Sequence, residues 1–369
     1  MAGYIFALGN RSPHEIYQSC VERGVYSTFL RTISPVPFEG TLADYATMKE
    51  GDTVYFFFQR RIYGMGTLVR VGPDCKYANY PCSCKLETYD YADISRDLLV
   101  DYGEGSPGNR WICTFIPGPA FFAHGVDMDD VLSYKPDTFK LLRAFWKASF
   151  IKLGEEENQS LREIILLRNQ ENGDNILPHH SGFHEQLAGR LTDAYLLNLS
   201  DLLQSCSDGS RIRHEMAIEA ATLHRLASGG DTPFGRWDYL SHQVPASPFK
   251  PIDYMDKIDI FACRFLPATR IISNYMVIEI KKDVADMDAV TQVCKYVDWV
   301  CREYAFGDYS AIEGYVLAHD FTRQAIEEKD IICKRNYTRG THPIENREWS
   351  RVKLVKYAFD GEEIQYTML

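Results

Sequence analysis

Apolar and polar positions follow their most regular pattern between Lys257 and Phe321. KIDIFACRF (Lys257–Phe265) is an apolar run with one carboxylate, Asp259, near its start. After a turn-like segment containing Pro267 and Asn274 comes YMVIEIKK, in which Met276, Val277, Ile278 and Ile280 read as a buried strand that ends on Glu279 and Lys281. Residues two apart on a strand share a face, so Glu279 and Lys281 point together, away from the core side of Ile280. Asp259 joins them if the two runs pair. DMDAVTQVCKYVDWVCREY follows with Val290, Val293, Val297 and Val300 at helical spacing and Asp286 or Asp288 as N-cap. Gln292 and Tyr296, four apart, share a face of that helix. AIEGYVLAHDF then reads as a strand, so the local order is strand, strand, helix, strand.

The pattern changes toward the N-terminus. GYIFALG reads as a strand, RSPHEIYQSCVERG as a short helix closed by Gly24, and KEGDTVYFFFQRRIYGMGTLVRVG as two strands preceded by a Gly-Asp turn. Gly64 and Gly66 mark a bend or a close backbone approach. In the middle, GEEENQSLREIILLRNQENGD carries Leu161, Ile164, Ile165 and Leu167 at helical spacing behind an acidic start, which suits the positive end of the helix dipole. A linker is expected over residues 172–181. FHEQLAGRLTDAYLLNLSDLLQSC reads as a second helix, broken around Asn198, and SRIRHEMAIEAATLHRLASGG as a third with a glycine stop. WDYLSHQVPASPF is expected to supply the first strand of the C-terminal sheet.

A length of 369 residues is enough for two or three domains with substantial cores, and 45% hydrophobic with 25% charged residues is the balance of a soluble globular chain. No apolar run reaches the length of a membrane span and MAGYIFALGNR lacks the features of a signal peptide, so the expected compartment is the cytoplasm. Ten cysteines without a regular framework are then expected as reduced thiols. Cys75, Cys82, Cys84 and Cys113 form the densest group; it is read as thiols or, with less support from the spacing, a zinc site. His180 and His184 have a spacing that binds zinc on a helix, but Pro178 and Gly182 place them, with His179, in a loop. The net charge of −11 argues against indiscriminate binding to nucleic acid. One stretch runs the other way: between Lys329 and Lys356, Lys334, Arg335, Arg339, Arg347, Arg351, Lys353 and Lys356 outnumber the acids and alternate with Tyr337, His342 and Trp349. It is either a backbone-contacting surface or an ordinary solvated one.

A Glu-x-Lys tripeptide alone is also what a solvated strand end carries. With Asp259 beside it, the set meets the needs of phosphodiester hydrolysis: carboxylates hold Mg²⁺, with Mn²⁺ as an alternative, and a lysine ammonium positions the attacking water or neutralises charge. The order of elements, the Glu279 to Lys281 motif and the Gln292 to Tyr296 motif resemble the PD-(D/E)xK nuclease superfamily, the restriction-endonuclease-like fold. The latter motif is similar to that of the branch holding recombination exonucleases and mismatch endonucleases. The resemblance implies that Asp259 and Glu279 are metal ligands, that Lys281 is catalytic and that Gln292 and Tyr296 are supporting residues. It also implies another acid from the helix before the first core strand. Glu215 and Glu219 both face the right way, and Glu219, set among Ile218, Ala220, Ala221 and Leu223, is favoured because a carboxylate among apolar neighbours needs a partner. The Gly-Asp turn, aromatic strand and Tyr-Gly-Met-Gly of the N-terminal part, with PGPAFFAHGVDMDDVL, look like PUA-like barrels of the EVE and YTH-related group. That likeness implies an aromatic cage for a modified or flipped base, with Trp111, Phe121, Phe122 and Trp146 as candidates and core packing as the competing reading.

The expected architecture is α/β, with a PUA-like mixed β-barrel over 1–150, a helical connector over 151–205 and a restriction-endonuclease-like domain over 206–369. The expected function is Mg²⁺-dependent endonucleolytic cleavage of DNA in the restriction of modified foreign DNA, by a homodimer because double-strand cutting needs two sites. A structure-specific repair nuclease and a non-catalytic nucleic-acid-binding protein with a degenerate nuclease fold are the alternatives. The absence of a Gly-x-x-x-x-Gly-Lys-Ser/Thr sequence argues against an intrinsic ATP motor.

Overall fold

The structure, a computed structural model, describes residues 2–9, 12–30, 42–78, 98, 109–136, 138–139, 150–247 and 256–369. The chain divides into two units, Met1–Leu202 and Leu203–Leu369. Cys82, Cys84 and Trp146 lie outside the described residues.

In the first unit, β1 (Gly3–Ala7), β2 (Val25–Leu30), β3 (Thr53–Phe58), β4 (Arg61–Leu68), β5 (Lys76–Ala78), β6 (Asn109–Pro117), β7 (Val126–Asp127) and β8 (Phe150–Leu153) form one sheet. Its order is β2-β6-β4-β3-β1-β8, with β5 on β6 and β7 on β4. β1 runs parallel to β3 and the other pairs are antiparallel. The aromatic residues that mark this part of the sequence fill its interior. Phe56 meets Phe6, Tyr17, Tyr26, Phe115 and Phe121, in mostly edge-on geometry that suits the ring quadrupole. The side chain of Phe121 also occupies the space a Cβ on Gly66 would need, so the glycine permits a close approach. Trp111, Phe121 and Phe122 are all buried, which makes them core residues.

Helix α1 (Pro13–Arg23) opens with its proline at the start, where no backbone donor is lost, and ends at Gly24 with φ 63°. Helices α2 (Met128–Tyr134) and α3 (Glu155–Arg168) follow. The first turn of α3 holds three glutamates, and Glu157 accepts a 2.9 Å hydrogen bond from the Gly154 amide. Leu161, Ile164 and Ile165 of α3 are buried in one cluster with Ile5, Tyr55, Ile62 and Met65. Ile151–Leu153 and α3, expected in a connector, thus belong to the sheet and core of the first unit.

The continuous helix expected after residue 182 is instead α4 (Gly182–Ala188), a short 3₁₀ turn at Asp193–Tyr195 and α5 (Leu199–Ser205). Gly189 ends α4, and Leu187 and Leu191 pack with Val25, Val71, Tyr77 and Ile112. Of the histidines expected in a loop, His184 lies within α4 whereas His179 and His180 precede it, and His179 and His184 have a structural use. His179 Nδ1 donates to the Val21 carbonyl at 3.0 Å and His184 Nε2 to the Gly24 carbonyl at 2.9 Å. Both acceptors lie at the C-terminal end of α1, at the negative end of the dipole, and each also accepts a backbone hydrogen bond, Val21 from the Gly24 amide and Gly24 from the Phe115 amide.

The second unit begins with a small ladder of β9 (Ser207–Asp208) and β10 (Arg211–Ile212), followed by α6 (Glu215–Ala227). Its main sheet contains β11 (Tyr239–Pro245), β12 (Lys257–Phe265), β13 (Ile272–Ala285) and β14 (Ile312–Phe321). After α7 (Met287–Glu303), α8 (Arg323–Ile332) and the hairpin β15 (Arg335–Arg339)–β16 (Glu345–Trp349), β17 (Val352–Phe359) and β18 (Ile364–Met368) complete it. The order is β11-β12-β13-β14-β17-β18. The first three strands are antiparallel, β13, β14 and β17 run parallel, and β18 returns antiparallel. Asp286 caps α7 by accepting from the Asp288 amide at 3.0 Å, and Val290, Val293, Val297 and Val300 are buried as their spacing requires. Among the described residues no helix is long and apolar enough to cross a membrane.

Gly24 supports a prediction. A Cβ there would stand 2.5 Å from the Phe115 carbonyl oxygen and 2.7 Å from His179 Cε1, at a φ of 63° that disfavours side chains. Gly24→Ala is therefore expected to cost about 2 kcal/mol or more, combining backbone strain with displaced caps. Thermal unfolding of the parent and the variant measures this, and an unchanged midpoint would contradict the assigned cap.

Candidate active site

Asp259 and Glu279 meet where β12 and β13 part. The ladder runs from Arg264 opposite Asn274 down to Ile260 opposite Ile278, and the next two residues are Asp259 and Glu279. Asp259 Oδ2 accepts a 2.7 Å hydrogen bond from the Ile280 amide, which fixes that carboxylate against the neighbouring strand. Glu279 is buried at 1% exposure, with Lys281 Nζ 2.5 Å from its Oε1. The shared face expected for Glu279 and Lys281 is present, and Ile280 points into the core. Behind Glu279, Tyr296 is buried on α7, and its hydroxyl accepts a 2.6 Å hydrogen bond from Gln292 Nε2.

Glu219 enters from α6 and is also buried. His242 Nδ1 lies 2.8 Å from Glu219 Oε1, while Gln243 Nε2 lies 3.3 Å from Glu219 Oε2 and 3.1 Å from Asp259 Oδ1. Glu215, one turn earlier, accepts from the Lys282 amide at 3.1 Å. Thus Glu219 connects to Asp259 through one carboxamide, whereas Glu215 holds the backbone just past Lys281. His242 and Gln243 were not singled out in the sequence. Consecutive strand residues normally face opposite ways, but Gln243 has φ 51°, and both side chains reach the same glutamate. The adjacent His-Gln pair within the strand YLSHQVP is the trace of this in the sequence.

The electrostatics are those of crowded acids. Burial pushes the Asp259 carboxyl well above its ordinary range, and the charges of Glu279 and Glu219 push it the same way. Burial also raises Glu279, against the lowering effect of Lys281. For Lys281 burial disfavours the ammonium, yet Glu279 beside it prevails and the net shift is upward. Tyr296 is held protonated by burial and by the Glu279 charge.

One atom bears on whether a cation belongs here. Glu279 Oε2 is buried without a close hydrogen-bond partner, while the Tyr296 hydroxyl acts as a donor toward the same carboxylate and opposes the effect of burial. A buried carboxylate oxygen without a partner is costly, and a hard divalent cation is the partner that oxygen donors take. Asp259 and Glu279 fit Mg²⁺ in number and kind, since that ion is commonly bound by one or two carboxylates and keeps several waters. Among the described residues no group of three or more His, Cys, Asp or Glu side chains forms a metal cluster. Of the cysteine group, Cys82 and Cys84 lie outside the described residues; burial pushes the Cys75 thiol up to about 12 and raises Cys113 well above its ordinary value, the behaviour of inert core thiols.

The cations between Lys329 and Lys356 are largely engaged. Arg335 makes a two-point contact with Asp298 at 2.8 and 3.0 Å. Lys334 pairs with Glu348, Arg347 with Glu345, Arg339 with Asp308, Lys353 with Glu313 and Lys356 with Asp320. Tyr337 meets Tyr309, and Trp349 is buried, donating to the Ile312 carbonyl at 3.0 Å.

No protein-family model matches the chain, and neither does any curated protein by sequence. Among solved structures it is similar to a repair endonuclease from Pyrococcus abyssi, with 25% identity, a TM-score of 0.20, and coverage of 33% of this chain and 43% of that one. It is similar to the EndoMS-dsDNA2 complex at 22% identity and a TM-score of 0.15, covering 23% and 30%. A hypothetical protein from Leishmania major matches at 15% identity and a TM-score of 0.26, covering 47% of this chain and 96% of that one. The chain thus spans less than half the length of the first two. These are local likenesses, and the functional reading rests on the site itself.

Glu279→Gln keeps the side chain's shape and its acceptor toward Lys281 while removing a charge from the crowded acids. The expected result is a metal-free protein that melts about 2–4 °C higher, the equivalent of about 1 kcal/mol, and that gains less from added Mg²⁺ than the parent does. Thermal scans in a chelator and in Mg²⁺ measure both; a lower midpoint in the chelator would show that the Glu279–Lys281 pair is a net stabiliser.

Proposed function

We propose that this chain is a divalent-metal-dependent endodeoxyribonuclease that acts on modified foreign DNA. The observation that carries the reading is the buried Glu279 carboxylate, with one oxygen on Lys281, the other without a close partner, and Asp259 alongside. Such a group destabilises a fold unless it serves chemistry, and strongly perturbed acids sharing a site are the physical mark of a catalytic centre.

In this reading Asp259 and Glu279 hold Mg²⁺ or Mn²⁺, and Glu219 assists as a ligand or through water. The bound ion supplies a water of lowered pKa and charge stabilisation at the phosphate. Lys281, anchored by Glu279 Oε1, has further N–H donors to orient the attacking water and to meet the charge growing on a phosphate oxygen. Water adds to phosphorus, one P–O bond breaks, and the leaving oxygen takes a proton. Tyr296 and Gln292 buttress Glu279 from the helix side, limiting its rotamers. Hydrolysis acts on a backbone that is the same at every step of the duplex, so selectivity must come from elsewhere. The proposed source is the N-terminal unit, a PUA-like domain that reads the base modification. Two copies of the chain supply the two sites that double-strand cutting needs.

The test is cleavage of modified phage-derived DNA and matched unmodified DNA with Mg²⁺ or Mn²⁺ by the parent, Asp259→Ala and Lys281→Ala. Metal-dependent cutting that falls at least about 100-fold in both variants is expected, a typical loss when one group stabilising transition-state charge is removed. Cutting that survives both substitutions would overturn the site, and equal cutting of the two DNAs would overturn the selectivity.

A further inference from the structure

The Gln243 carboxamide sits between two acids. Its Nε2 lies 3.1 Å from Asp259 Oδ1 and 3.3 Å from Glu219 Oε2, and an amide nitrogen only donates, so its hydrogens point at both. The backbone that puts it there has φ 51° on a residue with a full side chain, in the stretch of β11 where the ladder passes from His242 opposite Ile260 to Val244 opposite Ile258. A strained residue of this sort persists only where the surroundings enforce it. Regular strand geometry would aim Gln243 away from Glu219, so the strain and the double contact are one feature.

We propose that Gln243 is a stand-in for a cation: in the metal-free protein its amide N–H groups occupy the space between Asp259 and Glu219 and satisfy both, and the amide would have to withdraw for Asp259 to join Glu279 in holding a divalent cation with Glu219 assisting. The inference rests on the metal-dependent reading of the site and adds a positioning residue to it. An amide nitrogen bearing two hydrogens is no ligand for a hard cation. Water is, and Mg²⁺ readily keeps it. A water filling the space left by a shorter side chain would therefore compete with the ion far less than the amide does. His242 holds the other Glu219 oxygen at 2.8 Å, so Glu219 keeps its place when Gln243 moves.

Gln243→Ala removes the amide and leaves the backbone conformation disfavoured; Gln243→Gly removes the amide and relieves the strain as well. Mg²⁺ and Mn²⁺ titrations of the full chain by calorimetry, with melting temperatures in chelator and in saturating Mg²⁺, are the measurements. The expected result is binding about tenfold tighter in both variants, the scale of a hydrogen bond to a charged acceptor that no longer has to break. In chelator the alanine variant melts below the parent, and saturating metal narrows the gap, because a ligand stabilises most the form that binds it best. A merely structural Gln243 would weaken metal binding when removed, so the sign separates the two roles. Should the alanine variant fail to fold, the glycine variant carries the same comparison. Weaker or unchanged affinity in the folded variants overturns the stand-in while leaving the nuclease reading intact. A parent that binds neither ion overturns both.

Discussion

The second unit is arranged around a carboxylate that has no business in a protein interior. Glu279 is almost wholly out of water, and ionising it there is made tolerable by Lys281 on one of its oxygens, with the Tyr296 hydroxyl assisting. Everything near it follows from that constraint. The antiparallel pair β12–β13 gives way where Asp259 and Glu279 arrive, Asp259 is fixed by a backbone amide, and Glu219 is fixed by a histidine and a glutamine from β11. The sheet's apolar positions and the valine stripe of α7 supply the stability against which this cluster is set. A set of acids that repel each other in the absence of metal is unfavourable for the fold and favourable for cation binding.

The first unit is organised by different physics. Its interior is built from aromatic rings in edge-on and tilted contact, and its polar needs are met by long-range caps. Rings that look like cage candidates in a linear sequence are spent on packing: Trp111 stacks on Tyr45, and Phe121 lies among Tyr17, Phe56 and Phe115. The cations of the second unit's hairpin show the same economy, since Lys334, Arg335 and Arg347 already have acidic neighbours. The exposed pairs of Lys334 and Arg347 are weak and only balance charge, whereas the half-buried two-point contact of Arg335 with Asp298 ties the start of the hairpin to α7.

Much of the second unit was legible because period-two and period-3.6 patterns are local. The runs at Lys257–Phe265 and Tyr275–Lys282, the valines of α7 and the cap at Asp286 need no knowledge of distant residues, and the face shared by Glu279 and Lys281 follows from strand geometry alone. The role of Gln243 was not legible, because it depends on one backbone dihedral that reverses the expected side-chain direction. The break of the expected helix after Ala188 was partly legible: Gly189 is visible, but the pull of Leu187 and Leu191 into a cluster with Val25 and Ile112 is not. The same limit applies to the histidines, whose spacing invites a metal and whose partners are carbonyls some 160 residues earlier, the separation being 158 for His179 and 160 for His184.

Those caps set an order of events for the newly made chain. Helix α1 is made well before His179 and His184, whose side chains join the Gly24 and Phe115 amides on the carbonyls at its end, and before Phe150–Leu153, the strand that borders β1. Closing contacts over such a sequence distance requires most of the unit to have left the ribosome first, and topologies of this sort fold slowly. Until then β1 has an open edge and Phe6 lacks its contact with Phe150, so the first unit is completed only as its own last residues emerge, with the second unit still to follow.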